Sequence, residues 1–294
     1  MRLRFPGKIL LYLVLVTAIF CSATGFVYGQ ETAETWMERG RQYREEGLAG
    51  LAARAYSNVI ELDPKNVEAY YARGRVFIHL DLKDRAMADF NRAIRLDSTF
   101  AEGYYWRGAI YSARGKSSKA IKEFTTAIGY NDKNPQAYLA RGNTYKEMGK
   151  YKTAIEDFDQ LIALAPNNHL GYMLRGHSHQ RLKNYPKAIE DYLKVIRLKP
   201  KHLTALNNIA DAYLKLGKPD QGLHYLATAL KVKPGHPTLY MTLGEIFEQQ
   251  QRFSDALEAY RHCKDLAEEK KDNKDLLKKA VKKIDALEGR LNKD

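Results

Sequence analysis

The sequence predicts an all-α fold built from stacked pairs of antiparallel helices, and three observations support this prediction. A glycine recurs every 34 residues, with Ala210 as the one interruption: Gly40, Gly74, Gly108, Gly142, Gly176 and Gly244. Large residues surround each glycine at helical spacing. A turn-forming residue then separates two helix-length segments in each period. Hairpins of this size bury a core by stacking on their neighbours, so we expect one elongated body.

The repeat at residues 135–168 shows how each hairpin is expected to form. Its two helical faces are carried by Tyr138, Arg141, Gly142 and Tyr145, and by Ala154, Phe158 and Leu161. Gly149 tolerates the positive φ at which the first helix should end. Pro166 stops the second helix because proline cannot continue the backbone ladder. Asn168 can cap the next helix, and Pro135 suits a first helical turn.

The N-terminal segment, residues 1–29, has the pattern of an export signal. It combines a basic start, an apolar run from Ile9 to Cys21 and small residues near Gly29. Cleavage there would make Gln30 the first mature residue. The main alternative is a membrane anchor, because Ile9 to Tyr28 is uncharged and about long enough to span a bilayer. Lipid modification of Cys21 is a lesser alternative.

Seven repeats follow without insertion, and their boundaries are 33–66, 67–100, 101–134, 135–168, 169–202, 203–236 and 237–270. We number positions 1 to 34 within each repeat. Aromatic residues recur at position 4 (Trp36, Tyr70, Tyr104, Tyr138, Tyr172, Tyr240), position 11 (Tyr43, Phe77, Tyr111, Tyr145, Tyr213, Phe247) and position 24 (Tyr56, Phe90, Phe124, Phe158, Tyr192, Tyr260). Alanine recurs at position 20 and proline closes several repeats. These residues make the chain resemble the tetratricopeptide repeat family.

That resemblance implies a tetratricopeptide-repeat α-solenoid, a right-handed superhelix whose first helices line a concave groove for a peptide or a partner's helix. On the family's register, positions 5, 6 and 9 give the candidate partner-binding residues Met37, Arg41, Tyr71, Arg75, Tyr105, Trp106, Leu139, Asn143, Met173 and His177. The alternative is that some of these side chains only pack on adjacent repeats. Position 9 changes from basic at Arg41 and Arg75 to acidic at Asp211 and Glu245, which could orient a bound chain.

Position 7 carries arginine in the first five repeats, where the family usually has leucine. Position 23 is acidic in repeats two to five. We therefore predict structural ion pairs within the hairpins: Arg73 with Asp89, Arg107 with Glu123, Arg141 with Asp157 and Arg175 with Asp191. Arg39 faces Ala55 and is expected to be unpaired. Repeats six and seven have Ile209 and Leu243 instead.

The sixth repeat departs from the pattern, because Leu206, Ala210, Gly222 and Leu226 replace the expected aromatics, glycine and alanine. We expect looser or shifted helix packing there. Residues 271–294 are predicted to form a capping helix over the seventh repeat. Lysines lie on one face of this helix, and its apolar face carries Leu276, Leu277, Ala280, Val281, Ile284, Leu287 and Leu291. A partner-binding or membrane-surface role for those lysines is the alternative.

No segment is left over for a catalytic domain, and we expect no cofactor, metal site or small-molecule substrate. His177 and His179 lie two residues apart on a helix and cannot jointly hold a metal. Cys263 occupies a position held elsewhere by alanine and is expected to be a buried packing residue. The net charge of +13 favours acidic partners, but opposite charges alternate along the repeats and we do not expect a nucleic-acid module.

We therefore expect a non-enzymatic, exported scaffold of a bacterial cell envelope or periplasm that binds protein partners in its groove. A membrane-anchored receptor or assembly subunit is the leading alternative. A binder of an anionic polymer is the third.

Overall fold

The computed structural model describes residues 31–270 and 273–291. The described part contains fifteen α-helices and no β-strand. The first helices of the seven repeats are α1 (Ala33–Glu45), α3 (Val67–His79), α5 (Ala101–Ala113), α7 (Pro135–Glu147), α9 (His169–Arg181), α11 (Leu203–Lys215) and α13 (Pro237–Gln249). The second helices are α2 (Ala49–Leu62), α4 (Lys83–Leu96), α6 (Ser117–Tyr130), α8 (Tyr151–Leu164), α10 (Tyr185–Leu198), α12 (Pro219–Val232) and α14 (Phe253–Lys270), and α15 (Lys274–Leu291) follows them.

The chain divides into two compact units, with the boundary between Gly103 and Tyr104 inside α5. The first unit contains the hairpins α1–α2 and α3–α4. The second unit contains most of α5, all of α6, the hairpins from α7 to α14 and the helix α15.

The recurring glycine has a packing role in both units. A Cβ added at Gly142 would lie 2.7 Å from Cε1 of Phe158, the position-24 ring of the same hairpin. In the first unit, a Cβ at Gly40 would lie 2.4 Å from a ring carbon of Tyr56. Because both rings are fully buried, the ring cannot move aside. The glycine therefore lets the second helix approach the first closely.

Turn and cap residues behave as the sequence predicts. Gly149 has a φ of 73°, and α7 ends just before it. The Asn168 side chain accepts a hydrogen bond from the backbone N–H of Leu170 and caps α9. At the turn position of Gly149, the fifth repeat has Lys183, whose φ is 60°. A non-glycine residue adopts this conformation at some energetic cost.

The sixth repeat keeps a dense core by exchanging the two small residues. Leu206, Ala210 and Leu226 are almost completely buried. A Cβ added at Gly222 would lie 2.8 Å from the backbone oxygen of Ala210, so the glycine now sits on the second helix and admits the backbone of the first. The packing is shifted, as expected, but not looser.

Helix α15 packs against the seventh hairpin. Its buried residues Ala280, Ile284 and Leu287 join Met241 and Tyr260 in one apolar cluster. This helix therefore covers the apolar surface of α13 and α14.

Among the described residues, no helix combines the length and the apolar character needed to cross a bilayer. The export signal or anchor expected at residues 1–29 lies outside the described residues.

Candidate functional site

The first helices of the second unit lie side by side, and we call the row α7, α9, α11 and α13 the first-helix wall. Helices α9 and α11 are joined by a hydrogen bond from Gln180 Nε2 to Asp211 Oδ2 of 2.7 Å. Helices α11 and α13 are joined by a hydrogen bond from Thr242 Oγ1 to Asn207 Oδ1 of 3.0 Å. The wall is therefore held together by polar contacts as well as by the apolar core behind it.

Two neighbouring position-9 side chains on this wall hold buried polar atoms without a partner. Oδ1 of Asn143 on α7 and Nδ1 of His177 on α9 are inaccessible to solvent and make no hydrogen bond. Burial lowers the pKa of His177, and the positive charges of Lys146 and Arg181 lower it further. His177 is therefore neutral at pH 7, with one ring nitrogen available as a donor or an acceptor.

A concavity of about 550 Å³ opens between α9 and α11. It is lined by His177, Gln180, Arg181, Lys183, Tyr185, Asn208, Asp211 and Lys215. Of these, the sequence analysis named only His177 and Asp211. Three of the others, Gln180, Arg181 and Lys215, lie at positions 12 and 13, one helical turn beyond position 9, and this spacing is the signal that could have identified them.

The acidic end of the wall is already paired within the chain. Lys279 Nζ of α15 lies 2.9 Å from a carboxylate oxygen of Glu245, and Lys283 Nζ lies 2.6 Å from one of Glu248. Burial opposes ionisation of Glu248, but hydrogen bonds from Lys283 and Tyr260 lower its pKa overall. The lysines of α15 assigned to the outer face thus include two that bind the wall. The predicted change of sign at position 9 does not leave an open acidic surface.

The position-5 side chains of the second unit contribute mainly to packing. Leu139 packs against the cluster around Tyr138 and Phe158, and Met173 packs against the cluster that contains Ala205 and Ile209. At the start of the unit, the half-buried ring of Tyr105 lies 5.3 Å from that of Trp106 and 5.9 Å from that of Phe124. These contacts favour the packing alternative for most of these position-5 residues, although parts of each side chain stay accessible.

In the first unit, Met37 is 8% exposed and packs with Ala69 and Ala72 of α3. Arg41 is exposed and pairs with Glu38 at 3.1 Å. Together with Glu68, Met37 and Arg41 line a small concavity of about 290 Å³. Met37 is therefore largely a packing residue.

The other two candidates of the first unit stack on each other. Tyr71 packs edge-on against Phe100 with 5.3 Å between ring centroids, and the Arg75 guanidinium lies 5.7 Å from the centre of the Tyr71 ring. Tyr71 thus presents only part of its ring to solvent, while Arg75 is exposed.

Each of the four arginines predicted to form an ion pair contacts its expected carboxylate. The shortest distances are 2.8 Å for Arg73 and Asp89, 2.6 Å for Arg107 and Glu123, 2.7 Å for Arg141 and Asp157, and 2.6 Å for Arg175 and Asp191. The guanidinium also lies near the position-4 ring of its own helix, as in Arg141 and Tyr138, which are 5.8 Å apart. Burial raises the pKa of Asp157, and the hydrogen bond from Arg141 opposes that rise.

These arginines also connect successive hairpins, which the sequence analysis missed. Arg141 Nη1 donates to Thr125 Oγ1 of the preceding repeat at 3.0 Å, and Arg175 Nη1 donates to Asp159 Oδ1 at 2.6 Å. The acceptors share position 25. That position is polar in repeats one to four and becomes Leu193 and Ala227 in repeats five and six, just before Ile209 and Leu243 replace the arginine. Because both changes are visible in the sequence, the contact between position 25 and the arginine of the next repeat could have been predicted from it.

Arg39 is not the unpaired exception that we expected. It forms an ion pair with Glu31, which precedes α1, and its guanidinium lies 4.8 Å from the centre of the Trp36 ring. Nearly half of each side chain in this pair remains accessible. The expectation was wrong because it considered only the partner position within the hairpin.

No described residues form a group of three metal-ligating side chains. Cys263 is completely buried, and burial raises the pKa of its thiol to about 11. The thiol therefore stays protonated and serves as a packing residue, as the sequence predicts.

Comparison with protein families identifies the repeats. Models described as tetratricopeptide repeat match residues 37–99 and 207–266, residues 135–168 and 169–202, and residues 90–122. Together they span well over half of the chain. A comparison with curated proteins found no match.

Several solved structures are similar to this chain. YrrB, described as a tetratricopeptide repeat protein with an unusual peptide-binding site, is 21% identical, with a TM-score of 0.59 over 64% of this chain and 96% of its own. A MamA protein is 28% identical, with a TM-score of 0.52 over 59% of this chain and 95% of its own. The C-terminal part of a repeat protein from Cytophaga hutchinsonii is 18% identical, with a TM-score of 0.66 over 84% of this chain and 99% of its own. The matched repeats and the shared fold show that the chain belongs to the tetratricopeptide repeat family.

Proposed function

We propose that this protein is a non-enzymatic scaffold that binds a segment of a partner protein on its first-helix wall. The observation that carries the proposal is the pair of buried, unpartnered polar atoms on Asn143 and His177. Leaving such an atom without a hydrogen bond costs about 1–3 kcal/mol, so it is rare in folded proteins. Both atoms are closed to solvent in the free chain, so the two side chains must rotate outward on binding; a bound backbone then supplies the missing partners, because each residue of a peptide offers both a donor and an acceptor.

The fold gives independent support to this proposal. YrrB shares the fold and is described as having a peptide-binding site. Stacked repeats also expose an extended row of side chains, which suits an extended ligand.

The cellular location is part of the proposal and rests on the pattern of residues 1–29 alone. We propose export to a bacterial cell envelope, with a membrane-anchored receptor or assembly subunit as the alternative. Mass spectrometry of the protein purified from its native cells would distinguish them. Cleavage predicts a mature chain that begins at Gln30, and retention of residues 1–29 supports the anchor.

Site-specific photo-crosslinking tests the binding surface. A photoreactive benzoylphenylalanine in place of His177 is expected to capture a discrete partner from native extract. The matched control places the same residue at Lys187, which is exposed on the second helix α10 of the same hairpin. Capture of the same proteins at equal yield from both positions, or no capture from position 177, would contradict the proposal.

The crosslinking positions avoid the aromatic residues at position 5. An alanine at Tyr71 or Tyr105 would remove ring contacts with Phe100 or Phe124 and would disturb folding as well as binding.

A further inference from the structure

The concavity between α9 and α11 is lined by more positive than negative charges. Its single carboxylate, Asp211, already accepts a hydrogen bond from Gln180 at 2.7 Å and lies 3.9 Å from Lys215 Nζ. Two further cations, Arg181 and Lys183, line the same concavity. Neither has a carboxylate within ion-pair distance among the described residues. The concavity therefore has a surplus of positive charge.

The neighbouring part of the wall cannot neutralise this surplus. On α13, Glu245 and Glu248 are paired with Lys279 and Lys283 of α15. The field of Arg181 also reaches His177, whose pKa is lowered by burial and by the charges of Lys146 and Arg181. These two acids of α13 are thus occupied, while Arg181 and Lys183 remain available to a ligand.

The two cations are positioned differently. The guanidinium of Arg181 lies 5.5 Å from the centre of the Tyr151 ring, a contact that limits its mobility. Lys183 occupies the turn between α9 and α10 with a φ of 60°, where the first, third, fourth and sixth repeats have glycine. A residue in this turn must adopt a left-handed backbone conformation, which favours glycine. The fold alone therefore does not favour lysine at this position.

We propose that this concavity binds an acidic side chain, aspartate or glutamate, of the partner segment, with Arg181 and Lys183 as its counter-ions. The inference rests on the proposed function and specifies the chemistry of the ligand. A volume of about 550 Å³ accommodates a carboxylate side chain with its flanking backbone. Gln180 Nε2 already donates one N–H to Asp211, so its second N–H and the amide of Asn208 are the neutral donors for the same ligand.

Fluorescence anisotropy with labelled 15-residue peptides tests the proposal. We would use a peptide with glutamate at every third position, the same peptide with glutamine, and the same peptide with lysine. The full chain is expected to bind the glutamate peptide at least tenfold more tightly than the glutamine peptide. Equal or tighter binding of the glutamine or lysine peptide would overturn the acidic preference. That result would not contradict binding at the first-helix wall, which the crosslinking experiment tests separately. Failure of the acidic preference can therefore be distinguished from failure of the proposed function.

The substitution Lys183→Gly separates binding from folding. It removes one counter-ion and gives the turn the residue that its φ favours, so the melting temperature should hold or rise while affinity for the glutamate peptide falls several-fold. Gln251→Gly is the matched control, because Gln251 occupies the same turn of the seventh repeat with a φ of 61°. Equal affinities in the two variants would overturn the assignment of Lys183.

A labelled single-stranded 15-nucleotide DNA tests whether the concavity binds polyanions in general. We expect it to bind more weakly than the glutamate peptide and to be insensitive to Lys183→Gly. DNA that binds as tightly as the peptide and loses affinity in this variant would show that the site recognises polyanions, and would overturn a protein segment as its ligand.

Discussion

At the scale of single residues, each position-7 arginine that pairs with position 23 can make several structural contacts at once. Arg141 binds Asp157 in its own hairpin, contacts Thr125 in the preceding one and covers the ring of Tyr138. Asp157 is only 3% exposed, so its charge depends on this partner. The arginine is therefore part of the core, where the family usually has leucine.

Replacing Arg141 by leucine is expected to destabilise the protein by about 3–5 kcal/mol, because a buried carboxylate loses its counter-ion. The double variant Arg141→Leu with Asp157→Ala reproduces the Leu243 and Ala259 pair of the seventh repeat and should recover most of the loss. Urea unfolding measures both changes.

Arg39→Leu is the control for this prediction, since the exposed pair of Arg39 with Glu31 should contribute less than about 1 kcal/mol. A double variant as unstable as the single Arg141→Leu variant would show that the arginine acts through contacts other than Asp157.

Histidine protonation gives a pH dependence with a defined sign. Burial lowers the pKa of His177 and of His179 in the folded chain. Above about pH 6.5 both states are neutral, and stability does not depend on these groups. Below about pH 6.5 the two histidines bind more protons in the unfolded chain than in the folded chain, so the free energy of unfolding falls as the pH decreases.

The variant His177→Gln with His179→Gln should therefore lose less stability than the natural chain between pH 7.5 and 5.5. Urea unfolding at the two pH values is the measurement. Parallel losses in both proteins would exclude these histidines as the cause.

At the scale of the helices, the glycines differ sharply in what surrounds them. A Cβ on Gly222 would meet the backbone oxygen of Ala210 at 2.8 Å, and a backbone atom cannot rotate away. Gly129, near the end of α6, has no atom within 4 Å of such a Cβ. The same substitution should therefore have opposite effects at the two positions.

Gly222→Ala is expected to destabilise the protein by about 1–3 kcal/mol through overpacking. Gly129→Ala should be neutral or stabilising by up to about 1 kcal/mol, because alanine loses less entropy on folding. Thermal unfolding of the two variants tests this, and a shift in the same direction for both would mean that helix propensity outweighs packing.

The hairpins were predictable because their signals are local. Gly149, Pro135 and Asn168 act within one turn of the chain, and the Arg141 to Asp157 pair follows from the distance between facing positions of one hairpin. These features depend on backbone geometry and not on neighbouring repeats.

The surface was less predictable because exposure depends on the next repeat. Met37 has the position of a groove residue, yet α3 buries it. From its position in the repeat, Glu245 is expected to be an accessible acidic residue, yet Lys279, 34 residues later, pairs with it. A family register shows which way a helix faces, but packing by the following helix determines what remains accessible.

At the scale of the whole molecule, the stability of stacked repeats is approximately a sum of hairpin terms and interface terms. The seventh hairpin is followed by α15, which supplies the interface that the next repeat supplies elsewhere. Its apolar residues pack on Met241 and Tyr260, while Lys279 and Lys283 pair with the acids of α13. A defect in this interface should therefore loosen the last hairpin and leave distant hairpins unchanged.

The double variant Lys279→Glu with Lys283→Glu tests this locality. Both pairs become like-charged, so amide hydrogen exchange in α13, α14 and α15 should speed up several-fold, while exchange in α7 and α8 stays the same. Lys278→Glu with Lys282→Glu is the matched control, because these exposed lysines lie on the same helix and change the net charge equally. Faster exchange throughout the second unit would mean that its hairpins unfold as one cooperative block, and equal effects of the two variants would mean that net charge, not the pairing with Glu245 and Glu248, governs the interface.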